Sequence, residues 1–165
     1  MDTKTIIDTL VTDRTQADVE RVRELAAKGF AAMTADEQAE WLAGMKGAYN
    51  ASDLNRVGTA LNYLAARLSS ICGRSIAWTA KTDWAVTDIA TASQAAEYQQ
   101  QIQDIRDALA YPAGTPDAPQ LGSLTYTGAN DIERILALCE DLIVNVAKSF
   151  RHTGAAECAA GGLLT

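Results

Sequence analysis

The sequence predicts an all-α fold, a helical bundle of about four main helices with a long Trp-containing crossover and a loose C-terminal tail. Apolar side chains recur at helical spacing in four long segments and one short segment. A residue that can cap a helix precedes each segment, and all three prolines lie together in residues 112–119. Because 165 residues is the size of one domain, we expect a bundle over residues 1–151 and a flexible tail over residues 152–165.

The first two helices are predicted from their capping residues. Thr15 is an N-cap candidate with Asp18 three positions later, and Gly29 provides the stop for this long helix. The residues Thr34-Ala35-Asp36-Glu37 form a capping box, which starts a short helix. In this short helix we expect two apolar side chains to face the core, Trp41 and Leu42.

Two further long helices follow from apolar seams. One begins after Asn50 or Ser52 and ends at Gly73, and its apolar positions alternate by three and four residues: Leu54, Val57, Leu61, Leu64, Leu68 and Ile71. The other begins after Thr91 or Ser93, and its seam consists of Tyr98, Ile102, Ile105 and Leu109. We expect helices joined by short loops to be antiparallel.

Between these two helices the periodicity stops, from Arg74 to Ala90. A connection of this length is unusual in a compact domain and is often functional. We expect an extended crossover, with room for a short strand, that carries Trp78 and Trp84. A Trp in a polar loop either anchors the loop on the bundle or contacts a partner. The anchoring interpretation is favoured for Trp84, neither is favoured for Trp78, and both residues are candidates for an interface.

The last helix is predicted to begin near Thr127 or Asn130, since the proline-containing stretch from Tyr111 to Pro119 cannot be helical. Its seam is Ile132, Ile135, Leu136, Cys139, Leu142, Ile143, Val146 and Phe150. After it come small residues with weak amphipathic character, which predict the loose tail.

Composition excludes several classes of function. The 14 basic and 21 acidic residues leave a net charge of −7, which argues against binding to nucleic acid or to an anionic membrane surface. No run approaches the roughly 20 apolar residues of a membrane span, and the N-terminus lacks a secretory signal. We therefore expect synthesis and folding in the cytoplasm, or at least no export by a classical route. Three widely spaced cysteines indicate neither a disulfide framework nor a zinc site.

Residues suited to catalysis are scarce. His152 is followed by Glu157 and Cys158, but in a Gly/Ala-rich tail that cannot hold a defined geometry. Cys139 lies on an apolar seam and Cys72 at a helix end, where packing explains both thiols. Acidic pairs such as Asp104 and Asp107 are better explained as a solvated helix face, and no phosphate-binding glycine motif is present. The sequence thus predicts no catalytic residue, no metal site and no cofactor.

Several segments together resemble one family. They are Leu10–Thr15 followed by Asp18-Val19, Gly47–Gly58, Tyr63-Leu64, Lys81–Trp84 and Asp88–Thr91. Their order is similar to small virion proteins encoded in tail gene modules of phages and prophages of Gram-positive gut bacteria. That group has a Tyr-Asn/Thr-x-x-Asp-Leu-Asn-Arg-Val core, a Tyr-Leu helix, a Lys-x-Asp-Trp loop and an Asp-Ile-Pro-Thr helix start. Ala90 replaces the usual Pro, and Thr91 can still cap the helix.

The resemblance, which spans most of the chain, implies a non-catalytic structural or adaptor protein of a phage tail, baseplate or fibre region. The implied location is the virion, the implied partners are other tail or baseplate proteins, and several copies are expected because tails are symmetric. Two alternatives stay open. One is a small acidic regulatory or inhibitory module that binds another protein, and the other is an enzyme or toxin.

Overall fold

The computed structural model describes the backbone of residues 4–161 and the side chains of residues 6–150. Within that range the chain forms six α-helices and no β-strand, so the predicted all-α fold is confirmed. The helices are α1 (Lys4–Asp8), α2 (Gln16–Lys28), α3 (Ala35–Ala43), α4 (Ala51–Cys72), α5 (Ala92–Asp107) and α6 (Tyr126–Gly161).

Four of the predicted helix starts are confirmed by side-chain caps, whereas α6 begins at Tyr126, slightly before the predicted start near Thr127 or Asn130. The side chains that cap these four helices each accept a hydrogen bond from a backbone N–H of the first turn; they belong to Thr15, Thr34, Asn50 and Thr91. In return, the side chain of the third helical residue accepts a hydrogen bond from the backbone N–H of the capping residue. These two hydrogen bonds satisfy two backbone N–H groups that would otherwise have no acceptor at the start of a helix. At the other end of α4, Gly73 takes the left-handed conformation that glycine adopts without strain. The short helix α1 was not expected.

Helix α6 does not stop where the sequence predicts. The sequence predicts a tail from residue 152, but the helical backbone continues to Gly161. Alanine is the best helix former, and four alanines lie between residues 155 and 160, which accounts for the continuation. The division of the chain at residue 151 stays a prediction, and residues 162–165 lie outside the described residues.

Three parallel helices, α4, α5 and α6, form the bundle. Arg56 near the start of α4 binds Glu133 near the start of α6, and Arg67 farther along α4 pairs with Glu140 farther along α6. The start of α5 also lies at this end, since the hydroxyls of Tyr49 and Tyr98 are 2.5 Å apart. Parallel helices need long connections, and residues 73–91 and 108–125 provide them by running back along the bundle.

Amide side chains hold the first of these return segments. Asn55 of α4 accepts a hydrogen bond from the backbone N–H of Trp84 at 2.7 Å and donates to its carbonyl at 2.9 Å. Two turns later, Asn62 makes the same pair of bonds to Ala80, at 2.7 and 2.9 Å. Each asparagine amide thereby forms the two hydrogen bonds, to a backbone N–H and a backbone carbonyl, that a neighbouring strand would form. The segment is extended, but no strand forms in it.

The predicted seams supply most of the core. Its buried members include Val57, Leu61, Leu64, Leu68, Tyr98, Ile102, Ile105, Ile132, Ile135, Leu136, Cys139 and Ile143. Three predictions about burial are wrong. Phe150 is 63 % exposed, because α6 has by then passed the end of the neighbouring helices. Trp41 and Leu42 are exposed as well, because α3 does not join this core.

Helices α2 and α3 form an arm, residues 16–46, beside the bundle. They are antiparallel, as the short connection predicts. Two ion pairs show this orientation: Lys28 near the end of α2 pairs with Glu37 near the start of α3, and Arg21 pairs with Glu40. The arm has a small apolar cluster of its own, separate from the main core, made of Val22, Leu25, Met33 and Met45. The arm meets the bundle at Gly47, where an added Cβ atom would lie 2.1 Å from the carbonyl oxygen of Asp18.

Candidate functional site

The two cysteines among the described side chains, Cys72 and Cys139, both have a raised thiol pKa. Cys139 is fully buried, and burial raises the pKa of its thiol to about 11. Burial also raises the pKa of Cys72. A thiol with a raised pKa stays protonated at neutral pH and is a poor nucleophile. The side chains of His152, Glu157 and Cys158 lie outside the described residues.

The acidic pair singled out in the sequence, Asp104 and Asp107, does not form a joint site, because the two carboxylates bind different partners. Asp104 accepts hydrogen bonds from Trp78 and Gln100, whereas Asp107 accepts from Gln103. No group of three or more His, Cys, Asp or Glu residues in the described side chains is arranged to hold a metal ion.

Trp78 lies half-buried where the first return segment crosses α5. Its indole Nε1 donates a hydrogen bond to Asp104 Oδ2 at 2.7 Å, and its ring packs against the main core. This contact ties the return segment to α5. Trp78 does not line the groove described below.

Trp84 is buried six residues farther on. The backbone bonds to Asn55 fix its position, and the ammonium group of Lys81 lies 5.0 Å from the centre of its ring. Its indole N–H is buried and has no acceptor among the described residues. Of the two predicted interface residues, Trp84 alone forms part of the groove.

A buried cluster of four charged residues, the polar clasp, joins the N-terminal segment to α4 and α6. Glu133 is fully buried, and its Oε1 accepts hydrogen bonds from Arg14 Nη2 at 2.6 Å and from Arg56 Nη2 at 2.8 Å. Asp53 binds the same two guanidinium groups. The two positive and two negative charges balance, so each is compensated inside the protein.

Backbone atoms complete the clasp. The N–H of Val11 donates to Glu133 Oε2 at 2.6 Å, and Arg14 Nη1 donates to the carbonyl of Val11 at 2.7 Å. Asn130 binds both the N–H and the carbonyl of Arg14 at 2.9 Å. The clasp carboxylates are thus occupied by protein groups, and the arrangement fits a structural role. Sequence reasoning gave no indication of this cluster.

An apolar groove of about 530 Å³ lies between the arm and the start of α4. The arm contributes Val22, Trp41, Leu42 and Met45, and the bundle contributes Tyr49, Leu54, Trp84 and Val86. Leu42 is 74 % exposed and Val86 is 96 % exposed. Asp88 is the charged residue that lines it. A groove of this size, lined mainly by apolar side chains, is suited to binding rather than to acid–base chemistry.

Leu42 and Val86 line the groove, and together with Ile89 we call these exposed residues the apolar patch. Ile89 follows Asp88 in the chain and is almost fully exposed, like Val86. The sequence contained a signal for this patch, since Val86 and Ile89 lie outside any helical seam. For Trp41 and Leu42 the sequence wrongly indicated burial, because both follow the spacing of a buried helix face.

No described helix is both long enough and apolar enough to cross a membrane. Comparison of the chain with protein-family models, curated proteins and solved structures found no match.

Proposed function

We propose that this chain is a non-catalytic structural or adaptor component of a phage or prophage tail or baseplate. It acts through protein–protein contacts, and its docking surface is the apolar groove between the arm and the start of α4. The observation that carries the proposal is the exposure of Leu42 and Val86 at this groove. Contiguous apolar surface on a soluble domain marks a place that another protein covers.

The type of tail component rests on the resemblance of five segments to virion proteins of tail gene modules. Three of these segments take part in the groove, since Gly47–Gly58, Lys81–Trp84 and Asp88–Thr91 include lining residues such as Tyr49, Trp84 and Asp88. The resemblance and the exposed surface therefore involve the same part of the molecule. An interior filled by side chains, with both described thiols protonated, agrees with a role in assembly.

The test is detection of the chain in purified virions by mass spectrometry, together with co-expression with the products of the neighbouring genes. We expect the chain in the particles, in several copies per tail. We also expect it to co-purify with at least one neighbouring tail protein. Absence from the particles together with failure to bind any of these products would overturn the proposal.

A pair of variants locates the docking surface. Leu42→Glu places a charge on the apolar patch and should abolish co-purification, because burying an unpaired carboxylate is costly. Ala96→Glu introduces the same charge at an exposed position of α5 outside the groove and should have no effect. Circular dichroism on both proteins checks that each remains folded. Equal binding by the two variants would exclude the groove.

A further inference from the structure

The apolar groove and the far end of α6 lie at opposite ends of the molecule. The groove is lined by residues 48–54, at the start of α4. Helix α6 runs parallel to α4, and Glu140 lies beside Arg67, five residues before α4 ends at Cys72. Helix α6 therefore passes the end of α4 near residue 145. Since a helix of 22 residues is about 33 Å long, the end of α6 cannot reach the groove of its own chain.

The projecting end of α6 has exposed apolar and basic side chains. Ile143 is the last fully buried residue of the helix among the side chains that the structure describes, and residues 148–150 are all exposed. Phe150 is the largest of them. Lys148 has no ion-pair partner among the described residues, and the helical backbone extends to Gly161. Lys148 and Phe150 are two positions apart, so they project from opposite sides of the helix. In the described part of the chain, the helix end thus presents an aromatic side chain on one side and a cation without an ion-pair partner on the other.

The groove has the complementary character. Its surface is mainly apolar, and Asp88 lies on it without a cationic partner in the described part of the chain. The Asp88 carboxylate accepts a hydrogen bond from the backbone N–H of Ala85. The chain as a whole carries a net charge of −7, which disfavours contact between two acidic faces. A basic, apolar helix end is the part of this chain that suits the groove.

We infer that the groove binds the end of α6 from a second copy of this chain, with Phe150 on the apolar surface and Lys148 near Asp88. This inference rests on the groove being a docking surface, as in the proposed function, and it names the occupant. Each copy offers one groove and one helix end, so the contact is head-to-tail. Such contacts repeat from copy to copy and build a ring or a filament.

The first experiment measures self-association of the purified full-length chain by sedimentation velocity at concentrations up to about 1 mM. We expect species larger than a dimer to form as the concentration rises. Leu42→Glu and Phe150→Glu should each weaken the association about tenfold or more. Ala96→Glu serves as the control and should behave like the unmodified chain. A monomer at all concentrations, or variants that associate normally, would overturn the inference.

Mixing the two variants tests the head-to-tail geometry. The Leu42→Glu chain keeps an intact helix end, and the Phe150→Glu chain keeps an intact groove. The helix end of the Leu42→Glu chain can then bind the groove of the Phe150→Glu chain, and no second contact of this type can form. The mixture should therefore give a heterodimer and no larger species. A symmetric contact between two grooves or two helix ends would leave the mixture monomeric and contradict the inference.

A charge exchange tests the pairing of Asp88 with Lys148. Asp88→Lys and Lys148→Asp should each weaken association, and the double variant should recover most of the loss. Failure of the double variant to recover would overturn the pairing.

Detection in virions is independent of these measurements. A chain that is present in virions but monomeric in solution and in the particle overturns the self-docking and leaves the proposed function standing.

Discussion

At the scale of single residues, the polar clasp fixes the N-terminal segment to the bundle. Glu133 is fully buried and binds two guanidinium groups, while its remaining oxygen accepts a hydrogen bond from the backbone of Val11. A buried ion cluster of this type adds little stability compared with apolar packing, but it tolerates the loss of a partner poorly. The clasp therefore defines one position for residues 11–14 relative to α4 and α6.

Glu133→Gln should lower the free energy of unfolding by about 3 kcal/mol or more, because it leaves the buried Arg14 and the half-buried Arg56 with one carboxylate between them. Urea denaturation followed by circular dichroism measures the change. Arg21→Gln is the matched control, since Arg21 pairs with Glu24 and Glu40 on the surface. The control should lose less than about 1 kcal/mol. Equal losses in the two variants would contradict a stabilising role for the clasp.

At the scale of elements, α4 organises the first return segment. Asn55 and Asn62 bind its backbone, and Gly58 lies between them on the same helix. A Cβ atom added at Gly58 would lie 2.2 Å from the carbonyl oxygen of Lys81. The glycine allows the segment to approach the helix closely enough for both asparagines to reach it.

Gly58→Ala should destabilise the protein by about 1–3 kcal/mol, because the new methyl group collides with backbone. At an exposed position inside a helix the same change stabilises the protein by about 1 kcal/mol. A loss of stability in Gly58→Ala would therefore indicate the collision with the return segment. Thermal denaturation is the measurement. Gly122→Ala is the control, since a Cβ atom at Gly122 meets nothing within 4 Å. A stabilised Gly58→Ala variant would show that the return segment is not held against α4.

The arm has a pH-dependent contact between its two helices. A hydrogen bond from Lys28, assisted by the backbone of Thr34, lowers the pKa of Glu37 from 4.5 to about 2. A lowered pKa in the folded state stabilises the ionised form. The contribution of the Glu37 carboxylate to the stability of the folded state is therefore complete above pH 4.5 and is lost as the pH falls towards 2. Because Glu37 is near the surface, its effect on stability should be small.

Titration of the Glu37 carboxyl by NMR should give a midpoint close to pH 2. Lys28→Gln should raise the midpoint towards 4.5, because it removes the principal hydrogen bond. A midpoint already near 4.5 in the unmodified chain would mean that the two helices of the arm are not held together by this pair.

At the scale of the whole molecule, the two apolar clusters differ greatly in size. The main core includes residues from α4, α5 and α6, whereas the arm relies on Val22, Leu25, Met33 and Met45. Segments with few buried apolar contacts open locally before the whole protein unfolds. The arm, which forms one wall of the groove, should therefore be the less stable part.

Hydrogen exchange should report this difference. We expect the backbone amide of Leu25 in the arm to exchange at a lower free energy of opening than that of Leu61 in α4, although both side chains are fully buried. Exchange measured by NMR at low denaturant concentration gives both values. Equal protection of the two amides would indicate that the arm and the bundle unfold as one unit.

The sequence predicts local features well and distant contacts poorly. Thr15, Thr34 and Thr91 were identified as helix starts because a cap acts on residues within its own first turn. Leu42 was misplaced because its helical spacing does not reveal which surface the helix packs against. Glu133 gave no signal, since its partner Arg14 lies 119 positions away. The groove depends on two such distant segments, so it could not be predicted.

The polar clasp also has a consequence for synthesis. Asn130, which binds the backbone of Arg14, is made 116 residues after it. At about 5–20 residues per second, residues 11–14 wait roughly 6–23 s for this partner. During that interval they expose the charged side chains of Asp13 and Arg14 and backbone that water can solvate. The nearby apolar residues Ile6, Ile7 and Leu10 also lack the α6 part of the core they pack against until α6 is made, so α6 completes the docking of this whole segment.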